Sequence, residues 1–337
     1  MHDKEIEIDE KWFQPASNRQ PVVTEATVKT NQWHRKNWFR FRKSTGGMIG
    51  FLLIAIIVIM TVVGPSLNEY SYREQDLSRS NLPAKLPGLE HVSWLPFDGV
   101  DVRGVDQYER KGVDGYFWFG TDAYGRDQWT RVWQGTRISL WIAFAAALID
   151  LVIGALYGGI SGYYGGKTDM MMQRLLEILV GIPNLVLIII MILILKPGFV
   201  SIIIALAITG WTGMARIVRG QVLKLKEEYI SAAKVLGASS RRILVKHLLP
   251  NTLGIMIVTT MFTIPSAIFF EAFLSFIGLG IAPPEASLGS LINEGFKRLN
   301  TYPHLTVFPA VVISLIMISF NLLGDGLRDL FDPKVHK

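Results

Sequence analysis

The sequence contains no cysteine among its 337 residues. This absence excludes disulfide bonds, thiol catalysis and metal sites with cysteine ligands. The six histidines are scattered, and no H-E-x-x-H pattern or other ligand spacing joins them. We therefore expect no metal site and no enzymatic activity in this chain.

A nucleotide-binding loop is also missing. Residues 165–168 read Gly-Gly-Lys-Thr, which resembles the end of a phosphate-binding loop. That loop needs a glycine five positions before Gly166, but Ser161 stands there. The stretch follows an apolar segment rather than a strand, so we interpret it as a turn between two helices. We expect no nucleotide cofactor on this chain.

Long apolar runs dominate the sequence. Half of the residues are hydrophobic and the mean hydropathy is positive. The run between Gly46 and Gly64 carries no charge and matches the hydrocarbon thickness of a bilayer, where only helices and closed barrels satisfy the backbone. Five further runs lie at 138–160, 171–195, 200–215, 253–279 and 306–323. The predicted fold class is an all-α membrane protein with about six transmembrane helices, and Pro183 and Pro265 mark possible kinks.

The placement of charge predicts the orientation. Five basic residues precede the first helix directly, which indicates a cytoplasmic N-terminus; they are Arg35, Lys36, Arg40, Arg42 and Lys43. Six crossings return the C-terminus to the cytoplasm. The segment 216–250, with eight basic and two acidic residues, then lies inside, and 66–135, with eleven acidic and eight basic residues, lies outside. The net charge of +6 is thus a topology signal and does not indicate nucleic-acid binding.

The predicted organisation follows from these spans. Its parts are a cytoplasmic tail with a basic juxtamembrane segment (1–45), a first transmembrane helix (46–65), an extracytoplasmic segment (66–135), a core of five transmembrane helices (136–325) that contains a cytoplasmic loop (219–250), and a cytoplasmic C-terminal tail (326–337).

The cytoplasmic stretch 227–250 predicts two short helices. Gly237 follows the last periodic residue of the first helix, where a left-handed cap favours glycine, and Ser239 can cap the second helix. Ala232 and Ala233 leave a bare surface that another protein can approach. The pattern fits a partner-binding element and equally an amphipathic hairpin without a partner.

Three ionisable residues lie within the predicted spans, namely Asp150, Glu177 and Glu271. Such residues are costly in lipid, so they are functional candidates. They either line a translocation pathway or pair with a neighbouring helix or subunit.

The cytoplasmic stretch is similar to the signature of binding-protein-dependent ABC importer permeases, E-A-A-x-x-x-G-x(9)-I-x-L-P. The residues that fit are Ala232, Ala233, Gly237, Leu249 and Pro250. Ser231 and His247 replace the usual Glu and Ile, as they do in the oligopeptide, dipeptide and nickel branch of the family. Residues 120–140, 276–284 and 321–333 resemble three further motifs of the C-type permease of this branch. The resemblance covers most of residues 45–333.

This resemblance implies a type I ABC importer permease in the plasma membrane of a prokaryote. Its expected partners are a B-type permease, two ATPase subunits that bind ATP and magnesium, an extracytoplasmic solute-binding protein and a peptide substrate. The expected ATPase-coupling residues are Glu228, Tyr229, Ala232, Ala233, Leu236, Gly237, Ala238, Ser239 and Arg242. The motif that contains Asp122, Arg126 and Asp127 is expected to order the outer mouth of the pathway.

Two alternatives remain open at this point. The same architecture can import nickel or another small solute, because importers take specificity largely from the binding protein. An ion-driven secondary transporter is the other alternative. Such carriers usually contain inverted repeats, and we find no such symmetry in the sequence.

Overall fold

The computed structural model describes residues 41–92, 95–226 and 237–331, and their regular structure is helical. The helices are α1 (Thr45–Val63), α2 (Gln107–Lys111), α3 (Gln128–Tyr164), α4 (Gly166–Gly181), α5 (Asn184–Leu195), α6 (Phe199–Leu225), α7 (Ser240–Phe276), α8 (Leu288–Phe296) and α9 (His304–Phe331). Helix α7 contains a π-helical stretch over Ile243–Leu248.

The predicted membrane helices are confirmed. Over the described ranges, five helices are long and apolar enough to cross a bilayer, namely α1, α3, α6, α7 and α9. Helices α4 and α5 form a sixth span if the bent pair counts as one, with a bend of 81°. The break falls at Ile182 and Pro183, because proline lacks the N–H that helix continuation needs and disfavours helical geometry in the preceding residue. The predicted kink at Pro183 is therefore confirmed, whereas Pro265 lies inside a continuous helix.

Several helices extend beyond their predicted apolar spans. Helix α3 begins at Gln128 instead of residue 138, α6 continues past residue 215 to Leu225, and α9 continues to Phe331, inside the predicted tail. Hydropathy marks only the part of a helix that lies in hydrocarbon. The start of α3 is instead set by the cap residue Asp127, which a hydropathy plot does not detect.

Helix α3 packs closely against α6 through glycine. A Cβ added at Gly154 would lie 2.6 Å from the Met214 Cβ, and one at Gly158 would lie 3.0 Å from the Arg219 backbone nitrogen. Small residues four positions apart let two helix backbones approach in this way. Close packing at Gly154 and Gly158, which the sequence permits, is therefore observed.

The connections between helices gather at two ends of the molecule. At one end, ion pairs and hydrogen bonds join 64–127 to 277–303, for example Arg73 to Glu285 and Arg298 to Asn81. At the other end, the turn between α3 and α4 meets the last turns of α6. Following the charge prediction, we call these the outer end and the inner end.

Candidate functional site

The motif after residue 120 forms a buried charge cluster at the outer end. One Asp122 carboxylate oxygen accepts hydrogen bonds from the Arg126 Nε–H at 2.7 Å and from a guanidinium N–H of Arg131. Its other oxygen accepts the backbone N–H groups of Tyr124 and Arg126 at 2.8 and 3.0 Å. Arg131 also donates to Glu294 of α8 at 2.9 Å. The cluster joins the loop before α3 to α8, and its role at the mouth of a pathway stays a prediction.

Asp127 lies in the same motif and caps α3. Its Oδ2 accepts the Thr130 backbone N–H at 2.8 Å, the Thr130 hydroxyl, and the Asn68 side chain at 2.9 Å. Its Oδ1 has no hydrogen-bond partner among the described residues. Burial of this carboxyl raises the pKa of Asp127 above its ordinary value, against the opposing effect of the donated hydrogen bonds.

Glu271 joins three helices near the outer end. Its side chain is fully buried and accepts the hydroxyl groups of Ser139 on α3 at 2.8 Å and of Ser275 on α7 at 2.9 Å. The same Ser139 oxygen accepts the Leu288 backbone N–H of α8 at 3.3 Å. In this conformation the Glu271 carboxyl is hydrogen-bonded to the neighbouring helix α3, which agrees with the alternative that this residue pairs with another helix. Contact with a solute stays a prediction.

Asp150 lies at the interface between α3 and α6. The residue is 4% exposed and its Oδ1 has no partner in the described part of the chain. A Cβ added at Gly210 would lie 2.6 Å from the Asp150 Cγ, so α6 passes directly over the carboxyl. An unpaired buried carboxyl is costly in hydrocarbon, which makes the site a functional candidate.

Glu177 is placed very differently from the other two acids. It lies on α4, its side chain is 54% exposed, and it pairs with Arg174 at 2.8 Å. Helix α4 begins beside Arg219 of α6, and α5 begins beside Thr209 of the same helix. Along α6, the ion pair therefore lies between the levels of Arg219 and Thr209, which are ten residues or about 15 Å apart.

The predicted coupling stretch is only partly described. Glu228, Tyr229, Ala232, Ala233 and Leu236 lie outside the described residues.

The described part of that stretch has the predicted cap geometry. Gly237 has the left-handed φ of 74°, and Ser239 accepts the backbone N–H of Arg242 at 3.4 Å. Ala238 packs against the apolar cluster between α3, α6 and α7, whereas Arg242 is exposed. The predicted left-handed backbone at Gly237 and the cap at Ser239 are confirmed. The helix that Gly237 is predicted to cap lies outside the described residues, and ATPase docking stays a prediction.

Sequence reasoning did not find the ion pair between Asp169 and Arg219 at the inner end. The guanidinium donates through Nε and Nη2 to the two carboxylate oxygens, each at 2.6 Å. Arg219 was counted only as a topology charge. The one sequence signal is an acidic residue in the first turn of a helix that follows a glycine turn.

These features define a class of protein, a polytopic helical membrane protein with polar residues buried in its bundle and a capped loop at its inner end. The chain belongs to the family of binding-protein-dependent transport system inner membrane components, whose family model matches residues 138–337. Residues 31–84 match the N-terminal transmembrane domain of oligopeptide transport permease C. The recognition of this family and the multi-pass inner-membrane location are confirmed.

Curated relatives cover nearly the whole chain. The dipeptide transport system permease protein DppC of Bacillus subtilis is 41% identical over 98% of this chain and 95% of its own length. The DppC protein of Lactococcus lactis is 46% identical over 88% and 89%. The glutathione transport system permease protein GsiD of Escherichia coli is 35% identical over 96% and 97%.

A solved structure supports the fold. A chain of the inward-facing MetNI methionine ABC transporter aligns with a TM-score of 0.50 at 20% identity, covering 60% of this chain and 97% of that chain. The predicted type I ABC importer permease fold is confirmed.

Proposed function

We propose that this chain is the C-type permease subunit of an ATP-driven importer of dipeptides or oligopeptides and forms half of the translocation pathway. The observation that carries the proposal is the exposed pair of Arg174 and Glu177 on α4. Ionised side chains are costly where they face hydrocarbon, so we expect a protein partner or water against this face. A B-type permease would cover it and enclose an aqueous pathway between the two subunits.

The chain works with ATPases and has no ATP site of its own under this proposal. Two ATPase subunits hold ATP and magnesium and dock on residues 228–242, where Gly237 is left-handed and Ser239 caps the start of α7. Nucleotide then shifts the permease only if the ATP-bound ATPases bind one of its conformations more tightly. An extracytoplasmic solute-binding protein delivers the substrate to the outer end.

The substrate class is inferred from relatives. Two of those named above are dipeptide permeases and the third is a glutathione permease, and glutathione is itself a small peptide. Since the binding protein selects the solute in such systems, peptide length is set largely outside this chain. Nickel or another small solute is the competing outcome of the test.

The test is uptake by proteoliposomes that contain the purified complex and its binding protein. We expect labelled dialanine, trialanine or pentaalanine to accumulate with ATP and magnesium inside the vesicles. A non-hydrolysable ATP analogue should give no uptake, and a protonophore should have no effect. Uptake driven by an ion gradient without ATP contradicts the proposal and favours a secondary transporter. Uptake of nickel in place of all three peptides contradicts the peptide assignment alone.

A further inference from the structure

We infer that the ion pair between Asp169 and Arg219 is a mechanical joint that transmits movement of the cytoplasmic loop to the broken helix α4. Both are positioning residues, because they act through the helices they connect. The inference rests on the proposed function, and it adds residues that no motif of the sequence assigns.

The first observation concerns helix α6, which connects to the cytoplasmic loop and would carry its movement. Helix α6 runs without a break from Phe199 to Leu225 and leads directly into the loop. Its inner half lies against glycines of α3, and a Cβ at Gly162 would lie 2.9 Å from the Val222 Cγ1. Lys226, at the end of α6, donates to the Tyr163 carbonyl of α3 at 2.8 Å. Since α3 and α6 interlock, a displacement of the loop moves both helices together.

The second observation concerns helix α4, which would receive the movement. Helix α4 buries little of its surface within the chain, because among its sixteen residues, all of them described, only Leu176 is buried. Its hydrogen bonds to α3 and α6 lie in its first half, at Asp169, Met172 and Gln173. Its far end is the 81° break at Ile182 and Pro183, so α4 can turn without carrying α5 along. The same helix bears the exposed Arg174–Glu177 pair that we assign to the pathway wall.

The third observation is the connection itself. Asp169 lies in the first turn of α4 and takes both hydrogen bonds from the Arg219 guanidinium at 2.6 Å. It also accepts the Ser161 hydroxyl of α3, whose oxygen accepts the Gln173 side chain at 3.0 Å. A two-point guanidinium–carboxylate contact fixes orientation as well as distance, which a single hydrogen bond does not. The pair is partly buried, with side chains 30% and 15% exposed.

The joint thus lies between the loop and the pathway wall. From Arg219 to Lys226 the rise along α6 is about 10 Å, and Glu177 lies two turns of α4 beyond Asp169, or about 12 Å. A displacement at the loop therefore reaches the ionised pair through α6, through the contacts of Asp169 with Arg219 and Ser161, and through α4.

The test separates transport from ATP hydrolysis in the reconstituted complex, using the labelled alanine peptides as probes. We expect D169N and R219Q to lower the peptide imported per ATP hydrolysed by about fivefold or more, the lower end of typical coupling effects. The exchanged variant D169R/R219D should recover at least half of the wild-type ratio. The matched control is K167Q, which removes a charge from the exposed Lys167 in the same turn of α4 and should keep the wild-type ratio. A wild-type ratio in both single variants would overturn the inference.

A milder variant provides the test if the two single variants do not assemble into the complex. R219K keeps the charge but loses the two-point contact, and we expect an assembled complex with a reduced ratio. An assembled R219K complex with the wild-type ratio would likewise overturn the inference.

A second readout does not depend on the substrate. The chain has no cysteine, so Met171 of α4, which is 71% exposed, can be replaced by a single reactive thiol. We expect ATP to change the labelling rate of M171C, and we expect D169N to abolish that change. If the wild-type complex imports no peptide but ATP still changes the labelling rate in a D169N-sensitive way, the substrate assignment fails and the joint stands. An ATP response that persists in D169N contradicts the joint.

Discussion

At the scale of single residues, the buried carboxylates of this chain have three kinds of surroundings. Glu271 receives hydroxyl groups from two helices, Asp122 receives guanidinium groups, and Asp150 has one oxygen without a partner among the described residues. Buried polar groups are normally hydrogen-bonded, so the first two stabilise the bundle, whereas the Oδ1 of Asp150, like that of Asp127, is an exception. The partners of each acid therefore indicate whether it stabilises the bundle or is a candidate for function.

Asp127 should make stability depend on pH. Its pKa is raised by burial in the folded state, so the unfolded state loses this proton first as the pH rises. The stability that Asp127 contributes is thus greatest below the unfolded-state pKa and is lost as the pH rises through the folded-state pKa. We expect D127N to remove this loss while keeping the cap of α3, and D127A to cost about 1 kcal/mol through loss of the cap.

The measurement for Asp127 is the Tm of the purified protein across mildly acidic to neutral pH. The exposed Asp114 provides a control, and D114N should follow the wild-type curve. Parallel curves for the wild-type protein and D127N would show that burial of this carboxyl has no effect on stability.

Gly210 should be intolerant of a side chain because it lies against Asp150. A Cβ there would lie 2.6 Å from the carboxyl carbon, so G210A must displace the Asp150 side chain from its buried position, and overpacking of this kind costs about 1–3 kcal/mol. The Tm of G210A should fall. G213A lies on the same helix with no atom within 4 Å and should leave the Tm unchanged. Failure of D150A/G210A to recover stability would show that the carboxyl is not the cause.

At the scale of helices, breaks and caps decide what can move. Pro183 divides one apolar run into α4 and α5, and Asp127 sets the start of α3 ahead of its apolar part. The run at 171–195 appears continuous by hydropathy, because Ile and Leu populate both halves. The α4–α5 bend is accompanied by contacts of both helices with α6, and a hydropathy profile carries no information about such contacts.

Gly237 should be essential for coupling but not for membrane insertion. Its φ of 74° is left-handed, a geometry that costs other residues about 1–2 kcal/mol, and no described atom lies within 4 Å of its added Cβ. We expect G237V to abolish peptide uptake while the subunit still reaches the membrane. The control is G104V, since Gly104 at the outer end also has a left-handed φ of 79° and no atom within 4 Å of an added Cβ. Normal transport by G237V, or an equal loss in both variants, would contradict the coupling assignment.

At the scale of the whole molecule, the spans alternate between two ends and leave one charged face of α4 uncovered. The outer end is held together by contacts between distant segments, such as Arg73 with Glu285 and Arg131 with Glu294. The inner end is held by Asp169 and Arg219 beside the cytoplasmic loop. This arrangement suits a subunit that receives solute at one end and is driven at the other.

The absence of cysteine gives a direct test of the orientation. We expect R103C, in an exposed turn of the outer end, to react with a membrane-impermeant thiol reagent added to intact cells. K167C, in the exposed first turn of α4 at the inner end, should react only after permeabilisation. The unmodified chain is the control and should not be labelled. The reverse labelling pattern would invert the topology predicted from charge.

The sequence by itself determined the class of protein, the number of membrane spans, the left-handed backbone at Gly237 and the cap at Ser239. Apolar length and the conformational preference of glycine and serine are local properties, so they are readable along the chain. The sequence also identified Asp150, Glu177 and Glu271 as costly residues, but it did not distinguish pathway residues from paired ones. Only the tertiary structure showed that Glu271 is enclosed by serines, that Glu177 is exposed, and that Asp169 meets Arg219 fifty residues away. Whether an ionisable side chain is satisfied or exposed depends on which helices pack against it, and that is a property of the fold.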